Sequence, residues 1–139
     1  MKKAILGLML LFGLAAAAQQ GPPPADFEIP TNMKQYFVVL YVENAKSEQA
    51  HQDHEIMKKH LQFIRSQAEA GKISLAGPFT DNGKIGGMFI LDVPTADDAK
   101  KLIAGDSVAS TGSADVEIHS AMLPDMSAVK FVYPPKKAQ

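Results

Sequence analysis

The sequence predicts an α+β fold in which the elements follow the order β-α-β-β-α-β. Three observations lead to this prediction. Four short runs are rich in β-branched and aromatic residues, as strands are, and two longer segments repeat their apolar residues at helical spacing. The turn-forming triplet Asp81-Asn82-Gly83 separates the second and third runs, so these two are expected to form a hairpin.

The first half of the predicted domain contains a strand, a helix and a second strand. Residues 36–42 (YFVVLYV) are almost continuously apolar and predict a central strand. The polar stretch 44–52 is expected to be a loop that frays into a helix. Apolar residues over 53–70 then fall on one helical face, and Gly71 closes this helix. Residues 73–79 (ISLAGPF) predict the second strand.

The second half repeats the same order of strand, helix and strand. Residues 85–93 predict the third strand, and Thr95 is placed to cap a second helix that ends near Gly105. The acidic pair at 97–98 suits the first turn of that helix because the helix dipole favours negative charge there. Residues 116–119 (VEIH) alternate and predict the fourth strand. This is the ferredoxin-like order, with two helices on one face of an antiparallel sheet.

The predicted sheet has one face without helices, yet both alternating sets of side chains in the first strand are apolar. A wide exposed apolar face is rare on a monomer. We therefore expect a homodimer in which sheet faces sheet.

The composition is that of one globular domain. The chain has 139 residues, of which 46% are hydrophobic and 21% charged, enough for one core. A net charge of −1 gives no basic field for a nucleic acid. The absence of cysteine excludes disulfides and zinc–thiolate sites. The sequence contains no phosphate loop or nucleotide fingerprint, so we expect no cofactor.

The N-terminus has the pattern of a signal peptide over residues 1–18. Lys2 and Lys3 precede an apolar run that ends in small residues at Ala18. The run, roughly 15 residues, is shorter than the ~20 that a bilayer span needs. We expect cleavage near Ala18 and a periplasmic or secreted protein without stable membrane insertion. The alternative is an uncleaved anchor.

The remaining chain divides into three parts. Residues 19–35 are a Pro-rich linker, 36–122 are the domain, and 123–139 are a C-terminal tail. Within the tail, 128–133 (AVKFVY) has the composition of a fifth short strand, with disorder as the alternative.

Three of the four histidines cluster in the first helical region. His51 and His54 share a polar face, whereas His60 points elsewhere, so we predict no metal site. His60 lies at the edge of the apolar stripe, where an imidazole is either bonded to the backbone or used as a general acid/base. A functional imidazole needs a carboxylate to set its tautomer, and Asp106, after the second helix, is the candidate. The alternative for Asp106 is a turn former.

Several segments in order resemble the YciI-like (YCII-related domain) family. They are the His60 helix, the Ala-Gly-Lys turn at 70–72, the Gly-Pro-Phe strand end at 77–79, and the following strand, helix and Asp106. The resemblance implies a dimeric α/β-barrel type of assembly and an active site that maps onto His60 and Asp106.

This chain departs from the family pattern beside Asp106. Ser107 and Val108 replace the usual Pro and Phe, and Ser120-Ala121 replaces a frequent Pro-Trp. These changes remove a rigid turn and an aromatic wall from the implied pocket.

Four further residues are candidate ligand contacts: Ser74, Gly77, Phe79 and His119. Gly77 would let a ligand approach the strand backbone, although a Gly-Pro strand end is also a common bulge. Ser74 faces either the helices or a dimer partner. His119 is either near the cleft or an exposed strand histidine.

Two functions follow from these residues. The first is a small-molecule enzyme of the lyase, isomerase or hydrolase type, with His60 as general acid/base and Asp106 as its orienting carboxylate. The second is a non-catalytic periplasmic module that binds a small molecule or serves as an accessory dimer. A purely structural dimer is a third, weaker reading. The substrate is not identified by the sequence.

Overall fold

The computed structural model describes residues 28–135, which form one antiparallel sheet of four strands with helices packed on it. The predicted signal peptide, most of the predicted linker and the last four residues of the chain lie outside the described residues. The elements, in chain order, are β1 Met33–Glu43, α1 Ser47–Gln52, α2 His54–Glu69, β2 Ile73–Pro78, β3 Ile85–Leu91, α3 Ala96–Ile103, α4 Ser107–Ser110 and β4 Ala114–Pro124. The strands lie in the order β2-β3-β1-β4, so the predicted α+β, ferredoxin-like fold is confirmed.

The two longest strands extend beyond their predicted ends. β1 and β4 pair from Met33 opposite Pro124 to Glu43 opposite Ala114. The extra length begins with the exposed polar residues Lys34 and Gln35, whose composition does not signal a strand. Their backbone groups are satisfied by the partner strand, which outweighs local propensity.

The helix ends follow the predicted capping chemistry. Asp53, predicted as the first helical residue, instead caps α2 by accepting from the backbone N–H groups of Glu55 and Ile56. Thr95 caps α3 by accepting from the N–H of Asp98. Gly71 follows α2 with a φ of +73°, a conformation that residues with a Cβ adopt at a cost.

The core lies between the sheet and its helices. Phe37, Val39 and Tyr41 of β1 are buried there, together with Phe89 and Leu91 of β3. Ile56, Met57, Phe63 and Ile64 of α2 and Ala99 and Ile103 of α3 pack on them. The alternate β1 side chains Val38, Leu40 and Val42 are only half-buried and lie outside this cluster.

Two short segments differ from the sequence prediction. The single-turn helix α4 follows Asp106, where no helix was predicted. Residues 125–135 contain no regular secondary structure, so the strand considered for 128–133 does not form. The segment instead packs against the core through Phe131. Within the described range, no helix combines the length and apolar character needed to cross a bilayer.

Candidate functional site

His60 of α2 and Asp106, at the start of α4, meet in direct contact although 46 positions separate them. The Nδ1 atom of His60 lies 2.7 Å from Oδ1 of Asp106. Asp106 is completely buried, while 15% of the His60 side chain is exposed. A carboxylate only accepts hydrogen bonds. Nδ1 of His60 therefore carries the proton and donates a hydrogen bond to Asp106.

The α3–α4 connection places this carboxylate. Backbone groups of Asp106 form the turn: its N–H donates to the Ile103 carbonyl and its own carbonyl accepts from Ser110. The hydroxyl of Ser107 donates to the Ile56 carbonyl at 2.7 Å, which ties α4 to α2. The Asp106 side chain makes no capping bond to α4. The backbone of Asp106 therefore forms the turn, and its carboxylate is free to accept a hydrogen bond from the His60 imidazole.

Tyr41 of β1 holds the other carboxylate oxygen. Its hydroxyl donates to Oδ2 of Asp106 at 2.9 Å. Burial, the nearby negative charge of Asp106 and the hydrogen bond raise the pKa of Tyr41 far above its usual range. The hydroxyl therefore stays protonated and continues to donate, which fixes the plane of the carboxylate that the imidazole meets.

Aromatic packing holds the imidazole in place. The His60 ring stacks on Phe89 with centroids 5.8 Å apart and meets the edge of Tyr41 at 5.9 Å. Both distances are in the range of favourable aromatic pairs. The ring is thus fixed by one hydrogen bond and two rings, as a positioned acid/base requires.

The second ring nitrogen of His60 is available to a ligand. No group of the described residues bonds to Nε2 of His60. Every buried side-chain nitrogen or oxygen in that range has a hydrogen-bond partner, so an atom without a partner, such as Nε2, is not buried. Nε2 is therefore accessible. His60 lines a cavity of about 410 Å³ between α2, the sheet and the C-terminal segment, a size within the range of ligand sites.

The cavity is mostly apolar, with its free polar groups few in number. Ser47 and Ser113 line it, but the Ser47 hydroxyl donates to the Ser113 carbonyl, and the Ser113 hydroxyl pairs with Thr111. Glu43 and His51 also line it and are exposed. The rest of the lining is mainly apolar side chains and glycines, including Ala50, Met57, Ile64, Ala76, Gly77, Gly86, Gly87, Phe89 and Val108.

The other predicted contacts are not all at this cavity. Gly77 lines it, but Ser74 lines a different depression together with the C-terminal segment. Phe79 is 42% exposed and lies outside the cavity lining. His119 is exposed on β4, with Glu117 3.4 Å away. A ligand-binding role for these four residues stays a prediction.

Several lining residues were not among the predicted site residues. Tyr41 and Phe89 read as core aromatics in strands, and Glu43 as a strand end. Phe131 and Tyr133 belong to the tail. His51 was considered only as part of a metal site, and no group of three or more potential ligands for a metal occurs in the described part of the chain. Only the long-range topology brings these side chains together.

Comparison with known proteins gives a family and a fold. A family model described as YCII-related domain matches residues 36–121. No curated protein matches the sequence. Among solved structures, 5-chloro-2-hydroxyhydroquinone dehydrochlorinase from Burkholderia phenoliruptrix AC1100, in complex with 2,5-dihydroxybenzoquinone, is similar with a TM-score of 0.50. It is 16% identical, and the match covers 60% of this chain and 90% of that chain.

Proposed function

This chain belongs to the YCII-related domain family, and from that premise we propose that it is a small-molecule enzyme of the lyase, isomerase or hydrolase type. The observation that supports the proposal best is the His60–Asp106 contact of 2.7 Å at the wall of an apolar cavity. An imidazole held by a buried carboxylate, with its other nitrogen unbonded and its side chain lining a ligand-sized cavity, has the arrangement of a general base.

In the proposed reaction His60 transfers a proton, and Asp106 orients the His60 imidazole. With Nδ1–H donated to Asp106, the Nε2 lone pair takes a proton from a carbon, an oxygen or a water molecule beside the ligand. Asp106 stabilises the imidazolium that forms. Return of the proton to another carbon gives isomerisation, loss of a neighbouring anion gives elimination, and attack by the deprotonated water gives hydrolysis.

Of the three reaction types, the similar solved structure makes elimination from a cyclic compound the first to test. That protein is a dehydrochlorinase of a chlorinated hydroxyhydroquinone, and removal of hydrogen chloride needs a base for the proton. At 16% identity the likeness is one of fold, so it guides the choice of test compounds.

The alternative is a binding module that uses the same cavity without turnover. It is favoured by the change beside Asp106, where Val108 takes the place of the family's usual aromatic residue. The two functions differ in one observable, because a binding module would hold a ligand without exchanging its protons.

The test is solvent deuterium exchange into carbon acids, followed by proton NMR. The panel contains cyclic ketones, hydroxyquinones and 5-chloro-2-hydroxyhydroquinone, for which chloride release is a second readout. We expect His60→Gln to lower the exchange rate by about 10²–10⁴-fold. His54→Gln, exposed on the same helix, is the matched control and should keep the wild-type rate. Equal rates for His60→Gln and the wild type would contradict the proposal.

We also propose that the chain is exported and forms a homodimer through the open face of the sheet. The apolar residues Val38, Leu40 and Val42 support the dimer because they are half-buried outside the core cluster. The basic start and apolar run of residues 1–18 support export. Native mass spectrometry of protein recovered from the periplasm should give twice the mass of a chain that starts near Gln19. Leu40→Asp should yield monomers, while Lys58→Asp, on an exposed part of α2, should not. A dimer of Leu40→Asp would contradict the proposed interface. A chain that retains Met1 would contradict the proposed cleavage of an export signal.

A further inference from the structure

We propose that Phe131 and Tyr133, in the C-terminal segment 125–135, are specificity-determining residues that bind the ring of a planar, aromatic or quinoid ligand. This inference rests on the proposed function because it names the class of ligand for the same cavity. Both residues line that cavity together with His60. Neither lies within the part of the chain, 36–121, that the family model matches.

The segment is held at its start by a compact set of hydrogen bonds. The Asp125 N–H donates to the Asn32 carbonyl at 2.8 Å, and the Asp125 carboxylate accepts from the Ser127 N–H at 2.8 Å. The buried Tyr36 hydroxyl accepts from the Met126 N–H at 2.7 Å and lies 3.4 Å from the Asp125 carboxylate. These bonds direct the chain from the end of β4 towards α2.

The far end of the segment is held by its rings. Phe131 packs against the core, and Tyr133 stacks on Phe131 with centroids 6.0 Å apart and ring planes 12° apart. The Arg65 guanidinium of α2 lies 4.6 Å from the Tyr133 centroid, within reach of a cation–π interaction. Val132, between these two residues in the sequence, is 95% exposed. The segment therefore presents alternate side chains to the domain, and those are the aromatic ones.

One lining position of the cavity is aliphatic where the resemblance leads one to expect an aromatic residue. Val108, next to Asp106, lines the cavity in the position where the resemblance leads one to expect Phe. Phe131 and Tyr133 supply rings from a segment outside the family match. With Phe89, which stacks on His60, aromatic rings come from both the sheet and the tail.

A planar ring is the ligand that such walls select. Flat rings gain stacking energy against aromatic side chains beyond their apolar burial, and puckered rings of equal size do not. A cavity of about 410 Å³ accommodates a compound of one or two rings. The free Nε2 of His60 and the carboxylate of Glu43 at the cavity offer partners for hydroxyl groups on the ring edge.

The experiment measures binding of 2-naphthol to the full chain, through the probe's own fluorescence. The chain contains no Trp, so excitation beyond the tyrosine absorption reports on the probe alone. Phe131→Ala and Tyr133→Ala should weaken binding by about tenfold, the effect of losing one buried aromatic contact. Val132→Ala is the matched control and should bind within twofold of wild type. Phe131→Leu keeps most of the apolar volume but lacks the ring. It replaces Phe131→Ala in the experiment if Phe131→Ala does not fold, and it should also weaken binding.

A second measurement tests planarity. Wild type should prefer 2-naphthol to its saturated analogue decahydro-2-naphthol by about fivefold, and Phe131→Leu should remove that preference. No saturable 2-naphthol binding to wild type, equal binding by the ring variants and Val132→Ala, or no preference for the planar probe would each overturn the inference. If the ring variants weaken binding while His60→Gln exchanges protons at the wild-type rate, the ring site stands and the proposed enzyme function falls.

Discussion

Replacing His60 with Ala is expected to lower the free energy of unfolding by about 2–4 kcal/mol, because the buried Asp106 carboxylate loses a hydrogen-bond donor and the core loses a packed ring. Asp106 has no exposed surface, and its two oxygens are bonded to His60 and Tyr41. Without the imidazole the carboxylate keeps only the Tyr41 hydroxyl. The truncation also removes the ring that stacks on Phe89.

Equilibrium urea unfolding at neutral pH measures this loss, and a double-mutant cycle isolates the contact. Asp106→Asn removes the charge that needs compensation, so His60→Ala should cost less in that background, with a coupling of about 0.5–3 kcal/mol. His54→Ala, exposed on the same helix, should change the stability by less than about 0.5 kcal/mol. A His60→Ala loss below about 1 kcal/mol, or no coupling, would show that the pair does not stabilise the fold.

The order of strands and helices was predictable because each element carries its own local pattern. The apolar run 36–42, the amphipathic stretch 53–70 and the Asp81-Asn82-Gly83 turn need no long-range information. The helix α4 was missed because four residues, Ser107–Ser110, are too few to show an apolar period. Its placement depends on the tertiary bond from Ser107 to the Ile56 carbonyl.

The candidate site was predictable only in part. Spacing placed His60 at the edge of an apolar stripe but did not distinguish a core histidine from a functional one. The position of Asp106 after the second helix made it a candidate partner, and the resemblance implied the same pair. The role of Tyr41 was hidden because a tyrosine in a central strand reads as a core residue. The Tyr41 hydroxyl gains its hydrogen-bond partner only in the folded structure, where the Asp106 carboxylate at the start of α4 comes within reach.

The structure of the tail matches neither of the two alternatives, a fifth strand or disorder, that its composition left open. The composition of 128–133 is typical of a strand, and the structure turns Phe131 and Tyr133 inward and Val132 outward, as a strand would. A strand also needs a neighbouring edge to satisfy its backbone. Here the segment runs from β4 towards α2 and pairs with no strand edge, so it has no regular secondary structure despite its composition.

Asp106→Asn is expected to lower proton exchange on a substrate by about 10²–10⁴-fold, the usual contribution of a positioned general base, while the protein stays folded. Tyr41 remains protonated, since burial raises its pKa far above its usual range, and donates to the oxygen of the new amide. The amide NH₂ group then faces Nδ1 of His60 and donates to it. The imidazole must take the opposite tautomer, with its proton on Nε2, and Nε2 can no longer accept a proton from the ligand.

The deuterium-exchange assay measures this loss, and ligand affinity separates it from a failure to bind. Because the amide has nearly the same size as the carboxylate, the dissociation constant of 2-naphthol should stay within about threefold of the wild-type value. Asp97→Asn, exposed on α3, is the matched control and should exchange at the wild-type rate. Adding Tyr41→Phe to Asp106→Asn frees the amide to rotate its oxygen towards Nδ1, which restores the productive tautomer, so part of the rate should return. Full activity in Asp106→Asn alone would mean that the carboxylate stabilises the fold without setting the tautomer of His60.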